Sequence, residues 1–292
     1  MVIVRIVAFA FGWQCRAETM PSVSSAVATP CRLASLGPML PIDLSGRLAV
    51  VTGASGELGR VMARTLAAAG ADVALTYLNS PAKAEALATE IAATGRRAKA
   101  FRADVTSQES IGALRDAVRA WHHDPEIVVN NAVVQYPWKP LLEQAVADYE
   151  SQFRSCVLHN VHMAQAFVPA MIPRRWGRVI AINTECAMQM FPTQSAYVGG
   201  KRGMDGVLRV LAKEVGEHQI TVNQVAPGWT VSEKDREAGT VVRDGYDNTV
   251  PLKRRGTDQE IANVVAFLAS DLASFITGAY IPVCGGNVMP TI

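Results

Sequence analysis

The chain has 292 residues, 49% of them hydrophobic, enough for one large α/β domain with a sizeable core. Its 28 Lys and Arg face 26 Asp and Glu, and a net charge of only +2 argues against nucleic acid or an anionic membrane as partner. Five scattered cysteines (Cys15, Cys31, Cys156, Cys186, Cys284) with no C-x-x-C point to reduced thiols in a cytoplasm rather than a disulfide framework or a zinc site.

Residues 1–42 differ from the remainder of the chain. M-V-I-V-R-I-V-A-F-A-F-G-W is apolar but far shorter than the ~20 residues that span a bilayer. Residues 17–41 are rich in Ser, Pro and Ala and low in charge, as in a flexible extension. Met39 sits just before the organised part, so an early start is one reading of this segment and a targeting peptide the other.

From Leu44 onward, strand and helix patterns alternate. Strands are predicted at 48–52, 72–77, 98–105, 127–132, 178–183 and 220–226. Helices are predicted at 61–70, 82–95, near 108–121, as one long segment near 148–174, and at 197–215. This alternation means βαβ units, and so an α/β fold with a mostly parallel sheet covered by helices on both faces.

The first strand runs into T-G-A-S-G-E-L-G-R at 52–60. Glycines between a strand and a helix let the backbone approach a pyrophosphate, while the helix N-terminus offers N–H donors and a positive dipole end. This position makes the turn a dinucleotide-binding candidate, with Gly53, Ser55, Gly56, Leu58 and Gly59 as its contacts. Further along, Tyr197 and Lys201 are four apart and share one face of a helix.

Taken together, these motifs resemble the short-chain dehydrogenase/reductase family over residues 43–292. The resemblance rests on the glycine turn, A-D-V at 103–105, N-N-A at 130–132, Y-V-G-G-K at 197–201, V-N-Q-V-A-P-G at 222–228, and the tail F-L-A-S-D-L-A-S-F-I-T-G-A-Y-I-P-V-C-G-G at 267–286. It implies a single Rossmann-type, doubly wound domain with a seven-stranded parallel sheet. It also implies NAD(P)-dependent interconversion of a carbonyl and a secondary alcohol, similar to the 3-oxoacyl carrier-protein reductases, in a homotetramer or homodimer. The other reading is a dinucleotide-binding protein of this fold with weak or no catalysis, serving as a sensor or assembly subunit.

By this resemblance Tyr197 is the general acid. A free tyrosine has a pKa near 10, and a nearby cation favours its phenolate. Lys201 supplies that cation and holds the nicotinamide ribose. Thr184, thirteen residues before the tyrosine, stands where the family has serine and keeps a donor hydroxyl. Ungapped counting puts Cys156 where the family has an asparagine that holds a relay water, with Asn160 one turn on as the alternative. Glu57 replaces a glycine of the turn, Val133 follows N-N-A where the family has glycine, and Cys284 replaces the tail's aspartate.

The resemblance extends the cofactor contacts to Asp104 and Val105, to Asn131 and Ala132, and to Pro227, Gly228 and Thr230. An NAD-preferring enzyme carries an acidic residue at the end of the second strand. Tyr77 stands there, followed by Leu78 and Asn79, so NADP is expected over NAD, although no arginine in this turn clamps a 2′-phosphate. His159 and His162 are three apart without a third ligand, and no metal site is expected. R-R-W-G-R at 174–178 reads as a helix end whose cations suit the C-terminal dipole, and K-R-R at 253–255 as a solvated loop. Residues 229–250, with Trp229 and Tyr246, correspond to the family's substrate lid; Tyr136, Trp138, Met188, Met190 and Phe191 are candidate lining for an apolar pocket beneath it.

Overall fold

The computed structural model describes residues 41–239 and 245–290, so the expected N-terminal extension lies, but for its last two residues, outside the described residues. In order the elements are β1 (Leu48–Val51), α1 (Glu57–Ala68), β2 (Asp72–Tyr77), α2 (Pro81–Ala93), β3 (Ala98–Arg102), α3 (Gln108–Trp121) and β4 (Ile127–Asn130). There follow α4 (Val146–Gln152), a π-helical segment (Phe153–Leu158), α5 (His159–Met171), β5 (Gly177–Ile182), a short α6 (Cys186–Gln189), α7 (Ser195–Val215) and β6 (Ile220–Pro227). The chain closes with β7 (Thr230–Val231), α8 (Glu233–Glu237), α9 (Tyr246–Thr249), β8 (Gly256–Thr257), α10 (Asp258–Ala269) and β9 (Tyr280–Val283).

Seven strands form one sheet in the order β3-β2-β1-β4-β5-β6-β9, with every pairing parallel. Period-two alternation sends successive side chains to opposite faces. Ala49, Val51, Val73, Leu75 and Val129 pack against Met62 and Leu66 of α1 and Ile261 and Val265 of α10. Leu48, Val50, Val128, Val179 and Val222 pack against Ile111 of α3, Phe167 of α5 and Leu208 of α7. Fully burying such a side chain contributes about 1.5–3 kcal/mol, so both faces are needed to hold the sheet. This is the doubly wound seven-stranded parallel sheet expected above, and the strand order reverses between β1 and β4, where ligands of such sheets bind.

The ends of the elements follow local chemistry. α10 starts on a capping box: the Thr257 hydroxyl accepts from Glu260 N at 3.2 Å, and Glu260 accepts from Thr257 N at 2.8 Å. α3 starts on Ser107, whose hydroxyl accepts from Ser110 N.

Three expectations change. The single helix near 148–174 is three pieces, α4, the π-helical segment and α5, ending at Met171. A hydrophobic pattern does not register the extra residue of a π turn, and such turns are frequent at functional sites. α7 lies close against this segment: a Cβ on Gly200 would sit 2.9 Å from the Gln152 carbonyl oxygen, so only glycine admits the approach. The cations of R-R-W-G-R do not cap a helix. Arg174 donates to Asp124 O and Glu126, while Arg178 is buried in β5 and pairs with Asp271. K-R-R is not all solvated either, because the Arg255 guanidinium lies 4.8 Å from the Trp229 ring centroid and 5.3 Å from that of Tyr246.

Candidate active site

The glycine turn is fixed by its neighbours. Gly53 has φ +64°, a left-handed conformation that L side chains rarely adopt. Its N–H donates to the Thr76 hydroxyl at 3.2 Å, and Ala54 N donates to Thr76 O at 2.9 Å, tying the turn to β2. On the other side, Asn131 Nδ2 donates to Thr52 O at 3.0 Å and Gly53 O at 3.3 Å. The Thr52 hydroxyl in turn accepts from Asn131 N and Ala132 N. Asn131 therefore lines the cleft, while its amide secures the turn. A Cβ on Gly59 would lie 2.3 Å from Gly53 O, so this glycine lets α1 begin directly under the turn.

Above the turn is a cleft of about 540 Å³. Of the expected cofactor residues, Gly53, Ser55, Gly56, Leu58, Tyr77, Asn79, Asp104, Val105, Asn131 and Ala132 line it. Gly59 acts from below. Pro227 and Gly228 line the neighbouring pocket instead, and Thr230 pairs with Gly256 in the small β7–β8 sheet. The two unusual residues are accommodated. Glu57 pairs with Arg60 at 2.6 Å, so its carboxylate is compensated within one helical turn, and Val133 forms part of the cleft wall. The cleft thus fits a dinucleotide: backbone shape and helix N-terminus are intact, and the Glu57 carboxylate is held by Arg60, which also meets Glu233.

Beyond the cleft, and sharing Gln135 with it, is a pocket of about 210 Å³. Thr184, at the end of β5, and Tyr197, in the first turn of α7, both line it. The backbone places them: Thr184 O accepts from the Tyr280 hydroxyl, and Tyr197 N donates to the Tyr136 hydroxyl at 2.7 Å. The Trp138 ring stacks on Tyr197 with centroids 6.0 Å apart. Lys201 is buried one turn along; its Nζ donates to Ile182 O at 2.6 Å and lies 5.8 Å from the Tyr197 ring centroid.

Electrostatics here differ from the expectation of a phenolate-favouring lysine. Burial pushes the Tyr197 phenol well above its usual range, with the Thr184 hydroxyl working in the opposite sense. Burial also lowers the Lys201 amine, against the opposing influence of Cys156 and Cys186. Without a nicotinamide beside it, desolvation sets the direction of the shift, and the tyrosine keeps its proton at neutral pH, the state a proton donor needs.

Cys156 lies in the π-helical segment, buried, with its thiol 3.8 Å from Gln152 Oε1. Asn160 is committed elsewhere: Oδ1 accepts from Asn130 Nδ2, and Nδ2 donates to Cys156 O, both at 2.7 Å. The histidines of this region diverge, His159 Nδ1 meeting Ser155 O and His162 Nδ1 meeting Val105 O. Burial, followed by the Lys201 charge, brings the His159 imidazole down to about 3. Among the described residues no cluster of ligating side chains could hold a metal ion.

The pocket wall contains residues that no motif flagged. Glu185, next to Thr184, is 3% exposed; its oxygens accept from the Tyr246 hydroxyl at 2.8 Å and Asn287 Nδ2 at 3.1 Å. Tyr246 also accepts from Trp229 N, so one carboxyl joins β5 to three other segments. Burial raises the Glu185 carboxyl above its ordinary value. Trp138 and Phe191 line the pocket, as do Trp229 and Tyr246 of the segment expected to form the lid. Met188 and Met190 are not among its lining residues, and Met190 is exposed; Tyr136 serves as backbone support. An acidic residue directly after the site hydroxyl was the one available signal for Glu185.

Known proteins match this arrangement. A family profile described as enoyl-(acyl carrier protein) reductase covers residues 53–287. The 3-oxoacyl-[acyl-carrier-protein] reductase FabG of Pseudomonas aeruginosa is 36% identical over 249 residues, which is 85% of this chain and 100% of the relative. FabG of Escherichia coli (strain K12) is 36% identical over 248 residues, again 85% and 100%. A solved blue fluorescent protein from a metagenomic library, in complex with NADPH, superposes with a TM-score of 0.78 at 32% identity, covering 85% of this chain and 100% of that one. With the glycine turn, the Thr184–Tyr197–Lys201 constellation and these relatives in agreement, the chain belongs to the short-chain dehydrogenase/reductase family and is an NAD(P)-dependent oxidoreductase.

Proposed function

We propose that the enzyme reduces the ketone of a 3-oxoacyl-type substrate, with NADPH preferred over NADH. The observation that carries this reading is the pocket lined by both Thr184 and Tyr197, next to the cofactor cleft with which it shares Gln135. The FabG relatives and the NADPH-bound neighbour support the substrate class and the cofactor. So does Tyr77, where an NAD-preferring enzyme would carry a carboxylate.

When bound, the reduced cofactor supplies a hydride from its nicotinamide. In this reading the Thr184 hydroxyl donates a hydrogen bond to the substrate carbonyl oxygen and fixes its direction. As the carbonyl carbon gains the hydride, the π pair moves onto oxygen, and that oxygen takes the Tyr197 proton. The buried Lys201 ammonium stabilises the resulting phenolate and contacts the nicotinamide ribose. Cys156 occupies the relay position beside it. The remaining cleft residues (Gly53, Ser55, Gly56, Leu58, Tyr77, Asn79, Asp104, Val105, Asn131, Ala132), with Gly59 beneath the turn and Pro227, Gly228 and Thr230 beyond it, hold the cofactor.

We infer a homotetramer, with a homodimer as fallback, assembled through the π-helical segment, α5 and α7. Shallow, mainly apolar grooves along these helices and the exposed Phe153 and Val210 support that face. We assign the enzyme to the cytoplasm, in keeping with the unpaired thiols of Cys156, Cys186 and Cys284. Among the described residues no helix is long and apolar enough to cross a membrane.

The test is a nicotinamide-fluorescence titration with NADPH and NADH, followed by steady-state rates on short 3-oxoacyl thioesters and simple ketones. Tighter binding of NADPH and turnover of the thioesters are expected; reduction of simple ketones alone would overturn the substrate class. Light scattering at micromolar concentration that gives a monomer mass would overturn the assembly.

A further inference from the structure

The turn after β2 contains Tyr77, Leu78, Asn79 and Ser80, with no cation to meet a 2′-phosphate. The fold brings one from the neighbouring strand. Arg102 is the last residue of β3, the edge strand, and stands in register with Tyr77. Its Nε donates to Leu78 O at 3.3 Å, so the guanidinium lies against the turn itself. Arg102 stands just outside the cleft lining, between its two stretches, Thr76 to Asn79 across the sheet and Ala103 to Thr106 directly after it in the chain. Arg102 is exposed and makes no ion pair among the described residues. The nearby acid is turned to its own loop, Asp104 Oδ1 accepting from Thr106 N and Oγ1.

We propose that Arg102 is the residue that recognises the 2′-phosphate of NADP(H). Anchoring through Nε fixes the guanidinium plane and leaves the two terminal nitrogens as a fork, which suits two oxygens of a phosphate. The assignment rests on the NADPH preference proposed above. It explains how that preference arises without an arginine in the β2 turn: the cation is 24 residues away in sequence and adjacent in space.

The experiment measures dissociation constants of NADPH and NADH for the wild-type enzyme, Arg102→Gln and Arg102→Lys, by nicotinamide fluorescence. Displacement by 2′,5′-ADP and by 5′-AMP reports on the same site without the nicotinamide. Arg102→Gln should weaken NADPH and 2′,5′-ADP about 10- to 100-fold, the range of a hydrogen bond to a charged group. NADH and 5′-AMP should be unaffected, and Arg102→Lys should recover part of the loss. Unchanged NADPH affinity in Arg102→Gln, with a wild-type preference for NADPH, would overturn the role of Arg102 and leave the cofactor reading standing. Equal weakening of both cofactors would make Arg102 a structural residue. A wild-type enzyme that prefers NADH would overturn the cofactor reading, and the assignment of Arg102 with it.

Discussion

The cleft and the pocket proposed to take the substrate both lie at the carboxyl ends of the strands, yet they are built of different material. The cleft is backbone: a left-handed glycine, amides tied to Thr52 and Thr76, and one asparagine gripping two carbonyls. The pocket is side chains: a tyrosine, a lysine, a glutamate and a cysteine, all shifted from their ordinary titration by burial. The two regions therefore tolerate change differently. In the cleft an unusual residue is absorbed locally, as Glu57 is by Arg60. In the pocket, burial sets the titration of each group, so a substitution there acts on the chemistry directly.

The largest expected effect is on the pocket. Tyr197→Phe removes the proton donor and should lower turnover about 10²–10⁴-fold, with cofactor affinity unchanged by fluorescence titration. Undiminished turnover would end the proton-donor role of Tyr197.

Next comes the cleft. Gly59→Ala puts a Cβ 2.3 Å from the Gly53 carbonyl oxygen, whereas at Gly56 the same atom would lie 3.3 Å away. Overpacking of this kind costs roughly 1–3 kcal/mol, so Gly59→Ala should lose both thermal stability and cofactor affinity. Gly56→Ala should lose much less of either. Similar losses in the two variants would refute the account of how α1 enters beneath the turn.

Glu185 gives a pH-dependent test. Its folded pKa is raised above the ordinary 4.5, so folding favours the protonated form. The stability this contributes is complete below 4.5 and is lost as pH rises through the raised value. A tenfold change in proton affinity between the folded and unfolded chain corresponds to about 1.4 kcal/mol. The melting temperature of Glu185→Gln, which cannot ionise, should therefore gain on the wild type as pH rises from about 4 to about 7. A constant difference across that range would show that Glu185 titrates normally.

The smallest effects are expected where a donor is kept. Thr184→Ser should be tolerated, since only a methyl is lost. Cys156→Asn should hold or raise the steady-state rate if this position carries the relay. Because the Asn160 amide is spent on Asn130 and Cys156, Asn160→Ala should act on stability, leaving an orphaned polar group buried. A rate loss in Asn160→Ala at unchanged stability would move the relay there.

Six of the seven strands were legible in the amino-acid order, because branched apolar runs alternate with helical periodicity; the last, Tyr280–Val283, was expected only through the family resemblance. The cluster around Tyr197 and Lys201 was legible too, because their spacing puts both on one helical face. Glycines at 53 and 59 were legible through their place between a strand and a helix, where a turn and a close approach leave no room for a side chain. Other features depend on residues distant in the chain, and only the assembled fold sets them. The break at Phe153–Leu158 lies against α7, where a Cβ on Gly203 would come 2.9 Å from Val157, a contact between residues far apart in the chain. Asn160 is drawn to Asn130 by a strand thirty residues earlier. The sign of the Tyr197 shift comes from desolvation, which spacing cannot measure. Arg102 reaches the turn after β2, and Glu185 gathers Tyr246 and Asn287, only because parallel pairing and the closing loops bring separate segments to the carboxyl ends of the strands.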